Sequence, residues 1–227
     1  MKIYYDGNYP EKYKNKVEGF TTNITFAGQS VYKKYTDYIK NYLSVIGDTP
    51  CSFQVWSDDD EEITKQADKI ASMGKNIFVK IPIIKSNGKD NISAIKKVLD
   101  NIKSVNITAV YTKNHIDKIS SLLPIENDII VSVFAGGISD AGVDPISTMR
   151  YAVDSYKERK NIEVLWAGCQ TNLHIVQAKE CGCHIITIPD SVINKMDRMN
   201  FDLETSAAYK VRRFIDDFKE MNFKGTL

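Results

Sequence analysis

The chain has almost no excess of either charge, no long apolar segment and no signal-peptide pattern. Its 227 residues carry 30 Lys and Arg against 29 Asp and Glu, which gives a formal net charge of +1. This balance excludes the strongly basic surface that binding to nucleic acid or to an anionic membrane requires. No apolar run approaches the roughly 20 residues of a membrane-spanning helix. We therefore expect no nucleic-acid or membrane partner, and the short, polar N-terminus predicts a cytoplasmic location.

The sequence also lacks the common metal and dinucleotide motifs. Cys181 and Cys183 are one residue apart rather than the two of a zinc pair, and the three histidines show no HxxxH or HxH spacing. The acidic run at residues 58–62 precedes a predicted helix, where carboxylates complement the positive end of the helix dipole. No GxGxxG turn is present. We expect neither a metal nor a cofactor.

Short β-type runs alternate with amphipathic helical patterns along the chain. The predicted strands are residues 2–5, 18–21, 52–57, 77–81, 106–111, 129–135, 163–167 and 184–188. The predicted helices between them are 31–46, 63–73, 92–102, 116–123, 146–156 and 173–179. The first connection contains Pro10 and is too short for more than a weak helix. Eight strands separated by helices favour an α/β (β/α)8 TIM barrel; a doubly wound open sheet, which usually has fewer strands, is the alternative.

One more helix is predicted at residues 204–222, after the eighth strand. Val211, Phe214, Ile215 and Phe218 lie on one face of it. No linker rich in Pro, Gly or Ser divides the chain, so we expect a single domain, residues 1–227, with this helix as an addition to the barrel. Its apolar face would pack either on its own barrel or on a neighbouring subunit.

A lysine lies inside one of the most apolar predicted strands. Lys80 is the only charged residue in the run NIFVKIP, residues 76–82. Burial of an unpaired ammonium costs several kcal/mol. One interpretation is an edge strand whose lysine extends to water. The other is chemical, because burial lowers the pKa of an amine and a neutral lysine can attack a carbonyl carbon and form a Schiff base.

The active site of such a barrel lies at the carboxyl ends of the strands. Asp6 ends the first predicted strand, and there it could face Lys80 across a dry pocket. A carboxylate near an amine nucleophile is the pair that Schiff-base aldol chemistry requires. Further candidates lie inside or just after the other predicted strands: Thr22, Asn23, Gln54, Thr108, Ser132, Phe134, Trp166, Gly168 and Gln170.

The order and spacing of several segments resemble those of the transaldolase family. The segments are EGFTTN at 18–23, VKIP at 79–82, NITAVY at 106–111, VFAGGISD at 133–140, LWAGCQTN at 165–172 and GCHIITIP at 182–189. The length and the terminal helix resemble the small branch of the family, which holds fructose-6-phosphate aldolase and the short transaldolases. The resemblance covers essentially the whole chain.

This resemblance implies a Schiff base on Lys80, with Asp6 as the general acid/base for cleavage and formation of a carbon–carbon bond. It also implies that Asn23 hydrogen-bonds the donor sugar and that Thr108 positions the catalytic water. Gln54 matches a position occupied by glutamine in the aldolase branch and by glutamate in transaldolases. The implied substrate is a ketose or sugar phosphate that supplies a dihydroxyacetone-type unit, without a cofactor. The implied assembly is a homo-oligomer, a pentamer or a decamer.

The sequence departs from the family pattern where the substrate phosphate is bound. Gly137 stands in place of an arginine, and Gly168 and Gln170 stand in place of a serine and a basic residue. Phe134 stands where the aldolase branch has a water-activating tyrosine. A phosphate dianion needs cations or convergent donors. The sequence therefore predicts little gain from a phosphate and leaves an unphosphorylated or unusual sugar open. It also leaves open a second function, a barrel that binds a sugar or partner without turnover.

Overall fold

The structure, a computed structural model, describes residues 1–122 and 126–221. The last residue of the predicted helix 116–123 and the last residue of the predicted helix 204–222 lie outside these ranges. Among the described residues, no helix is both long enough and apolar enough to cross a membrane.

Eight parallel strands close into a barrel in chain order. They are β1 (Lys2–Asp6), β2 (Gly19–Thr21), β3 (Cys51–Gln54), β4 (Ile77–Pro82), β5 (Ser104–Val110), β6 (Asp128–Val133), β7 (Ile162–Trp166) and β8 (Ile185–Ile188). Closure occurs where β1 pairs with β8, with Ile3 beside Ile186. The predicted (β/α)8 barrel is confirmed, and the open sheet is excluded.

Helices connect the strands and cover the barrel. They are α1 (Pro10–Tyr13), α2 (Ile24–Gln29), α3 (Tyr35–Ile46), α4 (Asp60–Ala71), α5 (Ile92–Asn101), α6 (Lys113–Ser120), α7 (Ala135–Asp140), α8 (Ile146–Tyr156), α9 (Asn172–Glu180), α10 (Asp190–Ile193) and α11 (Leu203–Glu220). A 3-10 helix spans Met196–Asn200. The periodicity predicts the longer helices. It does not predict α2, α7 or α10, because four to six residues hold fewer than two turns of apolar repeat.

Strand side chains alternate between two apolar cores, as the pleat requires. Val79 and Ile81 of β4 belong to the large core between the barrel and the helices. Inside the barrel a smaller cluster comprises Tyr4, Ile130, Leu165, Ala167 and Ile185, with Phe78 and Phe134 packed against it. Because Phe78 faces the interior, Lys80, two residues further along β4, faces the interior as well. The interior therefore holds polar side chains together with an apolar cluster.

β5 contains a β-bulge directly after Thr108. The register between β5 and β6 shifts between Ile107 and Val110, and Ala109 has a φ of 57°. This left-handed conformation crowds the Cβ of a non-glycine residue and costs roughly 1–2 kcal/mol. Bulges at barrel rims often redirect side chains next to active sites. The strained residue here directly follows a candidate catalytic threonine, one residue before the strand ends.

The predicted terminal helix is present as α11. Its N-terminus is capped by Asp202, whose carboxylate accepts a hydrogen bond from the Thr205 N–H at 2.6 Å. None of its 18 residues is buried. Phe214 and Ile215 are 57% and 50% exposed. The described part of the chain therefore leaves the apolar face of this helix open to solvent.

Candidate active site

Lys80 lies inside the barrel with its amine away from solvent. The residue is 6% exposed, and its Nζ donates a hydrogen bond to the backbone carbonyl oxygen of Thr22 at 3.1 Å. Burial lowers the pKa of the amine, and the negative charge of Asp6 opposes that change. β4 is paired on both sides, with β3 and with β5. The interpretation of Lys80 as an edge-strand residue that reaches water is therefore excluded.

The strand register fixes the neighbours of this amine. Gln54 of β3 and Asn106 of β5 are the residues paired with Lys80 across the two ladders. Both belong to the set that alternates toward the interior, because Phe53 and Val105 beside them lie in the outer core. The amine is therefore flanked by two side-chain amides.

Asp6 ends β1 and is held by a chain of two hydroxyl groups. The Thr21 hydroxyl donates to Asp6 Oδ1 at 2.6 Å, and the Thr187 hydroxyl lies 2.6 Å from the same Thr21 oxygen. Because Thr21 has only one hydroxyl proton and gives it to Asp6, Thr187 must donate to Thr21. Three strands, β1, β2 and β8, thus fix the orientation of the carboxyl group.

The charges of Asp6 and Lys80 affect each other across the interior. Burial raises the pKa of Asp6, while the positive charge of Lys80 and the Thr21 hydrogen bond both act to lower it. The Asp6 residue is only half-buried, but its carboxyl group is turned inward. No ion pair within 4.0 Å joins the two groups, which are both in the described part of the chain. The space between them is suited to a substrate atom rather than to a salt bridge.

Thr108 is buried in β5 and its hydroxyl is unsatisfied. The residue is 2% exposed, and its Oγ1 has no hydrogen-bond partner among residues 1–122 and 126–221. A buried hydroxyl without a partner costs about 1–3 kcal/mol, so it usually holds a water or a ligand atom. This position suits the water-positioning role that the resemblance implies for Thr108.

The Ser132 hydroxyl is hydrogen-bonded inside the barrel. Its hydroxyl donates to Asn106 Oδ1 at 2.7 Å, and Asn106 Nδ2 donates to the Ser52 hydroxyl at 2.9 Å. These three buried side chains form a polar layer that links β6, β5 and β3. Ser132 therefore supports the floor of the site through Asn106, and its hydroxyl proton is not free to bind a substrate.

Thr22 and Asn23 shape the turn after β2. The Thr22 hydroxyl donates to the Ser52 carbonyl oxygen at 3.0 Å, so only the backbone carbonyl of Thr22 reaches the Lys80 amine. Asn23 caps α2, and its Oδ1 accepts from the Phe26 N–H at 2.9 Å. The Nδ2 group of Asn23 is the end of this side chain that could donate to a sugar.

Gln54 is held from behind by an aromatic side chain. Its backbone N–H donates to the hydroxyl of Tyr35 at 3.0 Å. Tyr35 packs edge-on against Trp56, with ring centroids 5.1 Å apart, and stacks on Tyr38. These rings line a groove beside the mouth of the barrel that contains neither Lys80 nor Asp6.

The candidates on β6 and β7 lie at the rim. The Phe134 ring packs against the interior cluster, and its centroid is 5.7 Å from the centroid of the Tyr111 ring. Gly168 has a φ of 72°, in the left-handed region that glycine tolerates. Gln170 Nε2 donates to both carboxylate oxygens of Asp140, at 3.0 and 2.9 Å. Gln170 therefore brings a carboxylate to this rim.

The structure corrects the expected role of Trp166. Its neighbours Leu165 and Ala167 belong to the interior cluster, whereas Trp166 belongs to the outer core and is 0% exposed. Its ring lies 5.4 Å from the ring of His174 on α9. Trp166 packs between barrel and helix and does not face the substrate space.

Several residues of the site were not among the sequence candidates. They are Thr187, Asn106, Tyr35, Tyr111 and Asp140. Thr187 and Asn106 carry a weak signal, because each is a polar residue inside an apolar strand run. Tyr111 and Asp140 carry none, because their positions depend on how the loops after β5 and β6 fold.

The fold and the site together define an α/β barrel with a buried lysine amine and an oriented carboxyl group at the carboxyl ends of its strands, where barrel enzymes have their active sites. Comparison with known proteins gives the family. The family described as transaldolase/fructose-6-phosphate aldolase matches residues 8–225. The chain belongs to this family and is an enzyme of the transaldolase or aldolase type, as the sequence predicts. Asp6 lies just before the matched range.

Relatives cover the whole chain at moderate identity. A probable transaldolase of Thermoanaerobacter sp. strain X514 is 27% identical over 228 residues, 99% of this chain and 100% of the relative. A probable transaldolase of Thermoplasma volcanium is 28% identical over 217 residues, 92% and 89% of the two chains. Among solved structures, orotidine 5'-monophosphate decarboxylase from Sulfolobus solfataricus has a TM-score of 0.56 at 13% identity and covers 96% of this chain and 98% of that one. This last likeness shows the fold alone.

Proposed function

We propose that the protein is a Schiff-base (class I) enzyme that transfers or releases a dihydroxyacetone-type unit from a ketose or a sugar phosphate. The observation that carries the proposal is the buried Lys80 amine, which donates a hydrogen bond to the Thr22 carbonyl oxygen and lies within 4.0 Å of no carboxylate among residues 1–122 and 126–221. Burial lowers the pKa of this amine, and a lower pKa favours the neutral, nucleophilic form. Family membership supports the same chemistry.

The reaction begins with the attack of Lys80 Nζ on the ketose carbonyl carbon. The tetrahedral adduct loses water and becomes an iminium ion, which can accept an electron pair. Asp6 takes the proton from the hydroxyl on the far carbon of the scissile bond, which is the carbon that becomes the aldehyde. The carbon–carbon bond then breaks, its electrons enter the enamine on Lys80, and an aldehyde leaves. The enamine either adds to another aldehyde, which is transfer, or is protonated and hydrolysed, which is release.

The other candidates take supporting roles in this proposal. The unsatisfied hydroxyl of Thr108 binds the water that leaves when the imine forms and that later hydrolyses the imine. Gln54 lies beside the amine and contacts the donor or that water. Asn23 Nδ2, the Thr22 carbonyl, Phe134, Gly168 and Gln170 surround the substrate, whereas Ser132 acts through Asn106.

The proposal is tested by comparing two lysine variants. Lys80→Met should abolish formation of aldehyde from fructose 6-phosphate while the far-ultraviolet spectrum is kept. Lys85→Met is the matched control, because Lys85 pairs with Asp60 at 2.6 Å and faces α4. That variant should keep activity. Asp6→Asn should still form a borohydride-trapped adduct but should not cleave the bond. A Lys80→Met variant with full activity would contradict the mechanism, and binding without turnover in the unmodified protein would favour the non-catalytic alternative.

We also propose that the protein forms a homo-oligomer, a pentamer or a decamer, through α11. The exposed side chains of Val211, Phe214 and Ile215 support an apolar contact with a neighbouring copy. Truncation after Ser206 should therefore give smaller particles by light scattering. A monomeric intact chain would contradict this proposal. The cytoplasmic location stays a prediction.

A further inference from the structure

The rim of the barrel above β5, β6 and β7 is shaped by a tyrosine that lies over a glycine. Tyr111 directly follows β5, and its ring leans across the first turn of α7. A Cβ built on Gly137 would overlap the Tyr111 hydroxyl and would lie 2.7 Å from Cζ of the same ring. On its other side the Tyr111 ring is tilted against Phe134. Any side chain at position 137 would thus need the space that the tyrosine occupies.

The backbone on the same rim is closely packed. A Cβ built on Gly136 would lie 2.7 Å from the carbonyl carbon of Gly168, and the Gly136 N–H already donates to the Ala167 carbonyl oxygen at 3.2 Å. The loops after β6 and β7 therefore touch through glycine backbone. Any Cβ at position 136 would therefore meet the backbone of the loop after β7.

The charge of this rim is negative. Residues 134–145 and 167–171, which follow β6 and β7, contain Asp140 and Asp144 and no Lys or Arg. Gln170 is bound to the Asp140 carboxylate, so its amide is not available to an anion. The nearest base in sequence after β5, Lys113, lies 5.3 Å over the Tyr151 ring. A phosphate dianion at this rim would meet carboxylates where it needs cations.

The rim of β5–β7 borders the interior that holds Lys80. Tyr111 follows Thr108 by three residues, and the Phe134 ring on which Tyr111 packs lies against the interior cluster. A sugar joined to Lys80 would therefore meet Tyr111 where it extends toward this rim.

We propose that Tyr111 is a specificity-determining residue that closes this end of the site, so that the preferred substrate ends in a neutral hydroxymethyl group and not in a phosphate. The proposal rests on the function proposed above and names its substrate class, an unphosphorylated ketose or aldehyde. Tyr111 selects by occupying space, and the two aspartates add repulsion. An arginine at position 137 alone would meet the tyrosine ring, so the two positions act together.

The test compares fructose with fructose 6-phosphate, which differ only at the distal end. The measurement is the sugar concentration that gives half-maximal borohydride-trapped adduct by intact mass. On the unmodified protein, we expect fructose to reach half-saturation at the same concentration as fructose 6-phosphate or at a lower one. Half-saturation by fructose 6-phosphate at a lower concentration than by fructose would overturn the proposal. Dihydroxyacetone, which lacks a distal end, is the control for the underlying function. If dihydroxyacetone does not label Lys80, the proposed function fails, and if it does, only the substrate class is at stake.

Variants then test Tyr111 itself. The double variant Gly137→Arg with Tyr111→Ala should favour fructose 6-phosphate at least threefold more than Gly137→Arg alone does. A double variant no better than the single one would overturn the role of Tyr111. Tyr111→Phe keeps the ring and should keep the unmodified preference. This variant and the unmodified protein keep the test decisive if the double variant does not fold.

Discussion

Replacement of Lys80 by methionine should make the protein more stable while it removes activity. The side chain is buried and makes no ion pair within 4.0 Å in the described part of the chain, so its charge is compensated by a hydrogen bond to the Thr22 carbonyl oxygen. Methionine has a similar length and flexibility and carries no charge. If Lys80 stabilised the fold, its replacement would lower the free energy of unfolding. If Lys80 serves the chemistry at a cost in stability, its replacement should raise the free energy of unfolding.

The magnitude follows from two opposing effects. The penalty for a buried ammonium is several kcal/mol even after relaxation. Loss of the lysine leaves the Thr22 carbonyl oxygen without this donor, which costs about 1–3 kcal/mol. We therefore expect Lys80→Met to raise the free energy of unfolding by about 1–3 kcal/mol at pH 7. Lys85→Met removes a partly exposed ion pair with Asp60, which water screens, so this variant should lower the free energy of unfolding only slightly or not at all.

The pH dependence gives this prediction a distinctive sign. Because the pKa of Lys80 in the folded protein lies below its ordinary value of 10.5, the unfolded chain binds more protons in the window between the two values. The stability of the unmodified protein therefore rises with pH through that window. The advantage of Lys80→Met should be largest below the folded pKa and should shrink as the pH approaches 10.5. Urea unfolding at a series of pH values measures it. A destabilised Lys80→Met variant whose deficit does not change with pH would refute the reasoning.

Three further changes test the geometry around the site. Ala109→Gly relieves a φ of 57° and should raise the free energy of unfolding by about 0.5–1 kcal/mol, and a loss of stability would contradict the assigned strain. Gly136→Ala puts a Cβ 2.7 Å from the carbonyl carbon of Gly168 and should lower the free energy of unfolding by about 1–3 kcal/mol. Gly28→Ala is the control, because no atom lies within 4 Å of its Cβ, and it should raise the free energy of unfolding by about 0.5–1 kcal/mol. Equal melting temperatures for these two variants would contradict the close approach. Thr21→Val removes the hydrogen bond that lowers the pKa of Asp6, so the acidic limb of the pH–rate profile should move to higher pH; an unmoved limb would show that Asp6 is not the titrating base.

The barrel and the inward orientation of Lys80 could be predicted from the sequence, because the residues of β4 alternate clearly between the two faces of the strand. Apolar residues on both sides of the lysine fix the strand, and a charge between Val79 and Ile81 marks the interior face. β7 gives no such information. Leu165, Trp166 and Ala167 are all apolar, since a strand of a parallel barrel is buried on both faces, so hydropathy alone does not reveal that Trp166 faces the helices.

The details that control substrate choice depend on tertiary structure. The bulge at Ala109 has no local signal, because alanine is common in ordinary strands and no glycine marks the left-handed residue. The contact between the Tyr111 ring and Gly137 brings together two loops, and the two residues are 26 positions apart in the chain. The departures from the family pattern at Gly137, Gly168 and Gln170 are visible in the sequence. The sequence does not show which side chains occupy the space beside these residues.

Reductive trapping with peptide mapping tests the central claim most directly. Incubation with dihydroxyacetone and borohydride should add one reduced donor unit per chain, and digestion should place it on Lys80 within the segment Ile77–Pro82. The same treatment of Lys85→Met should label Lys80 equally, and the Lys80→Met variant should remain unlabelled. A label on another lysine, or no label in the unmodified protein, would contradict the account of Lys80 as the Schiff-base nucleophile.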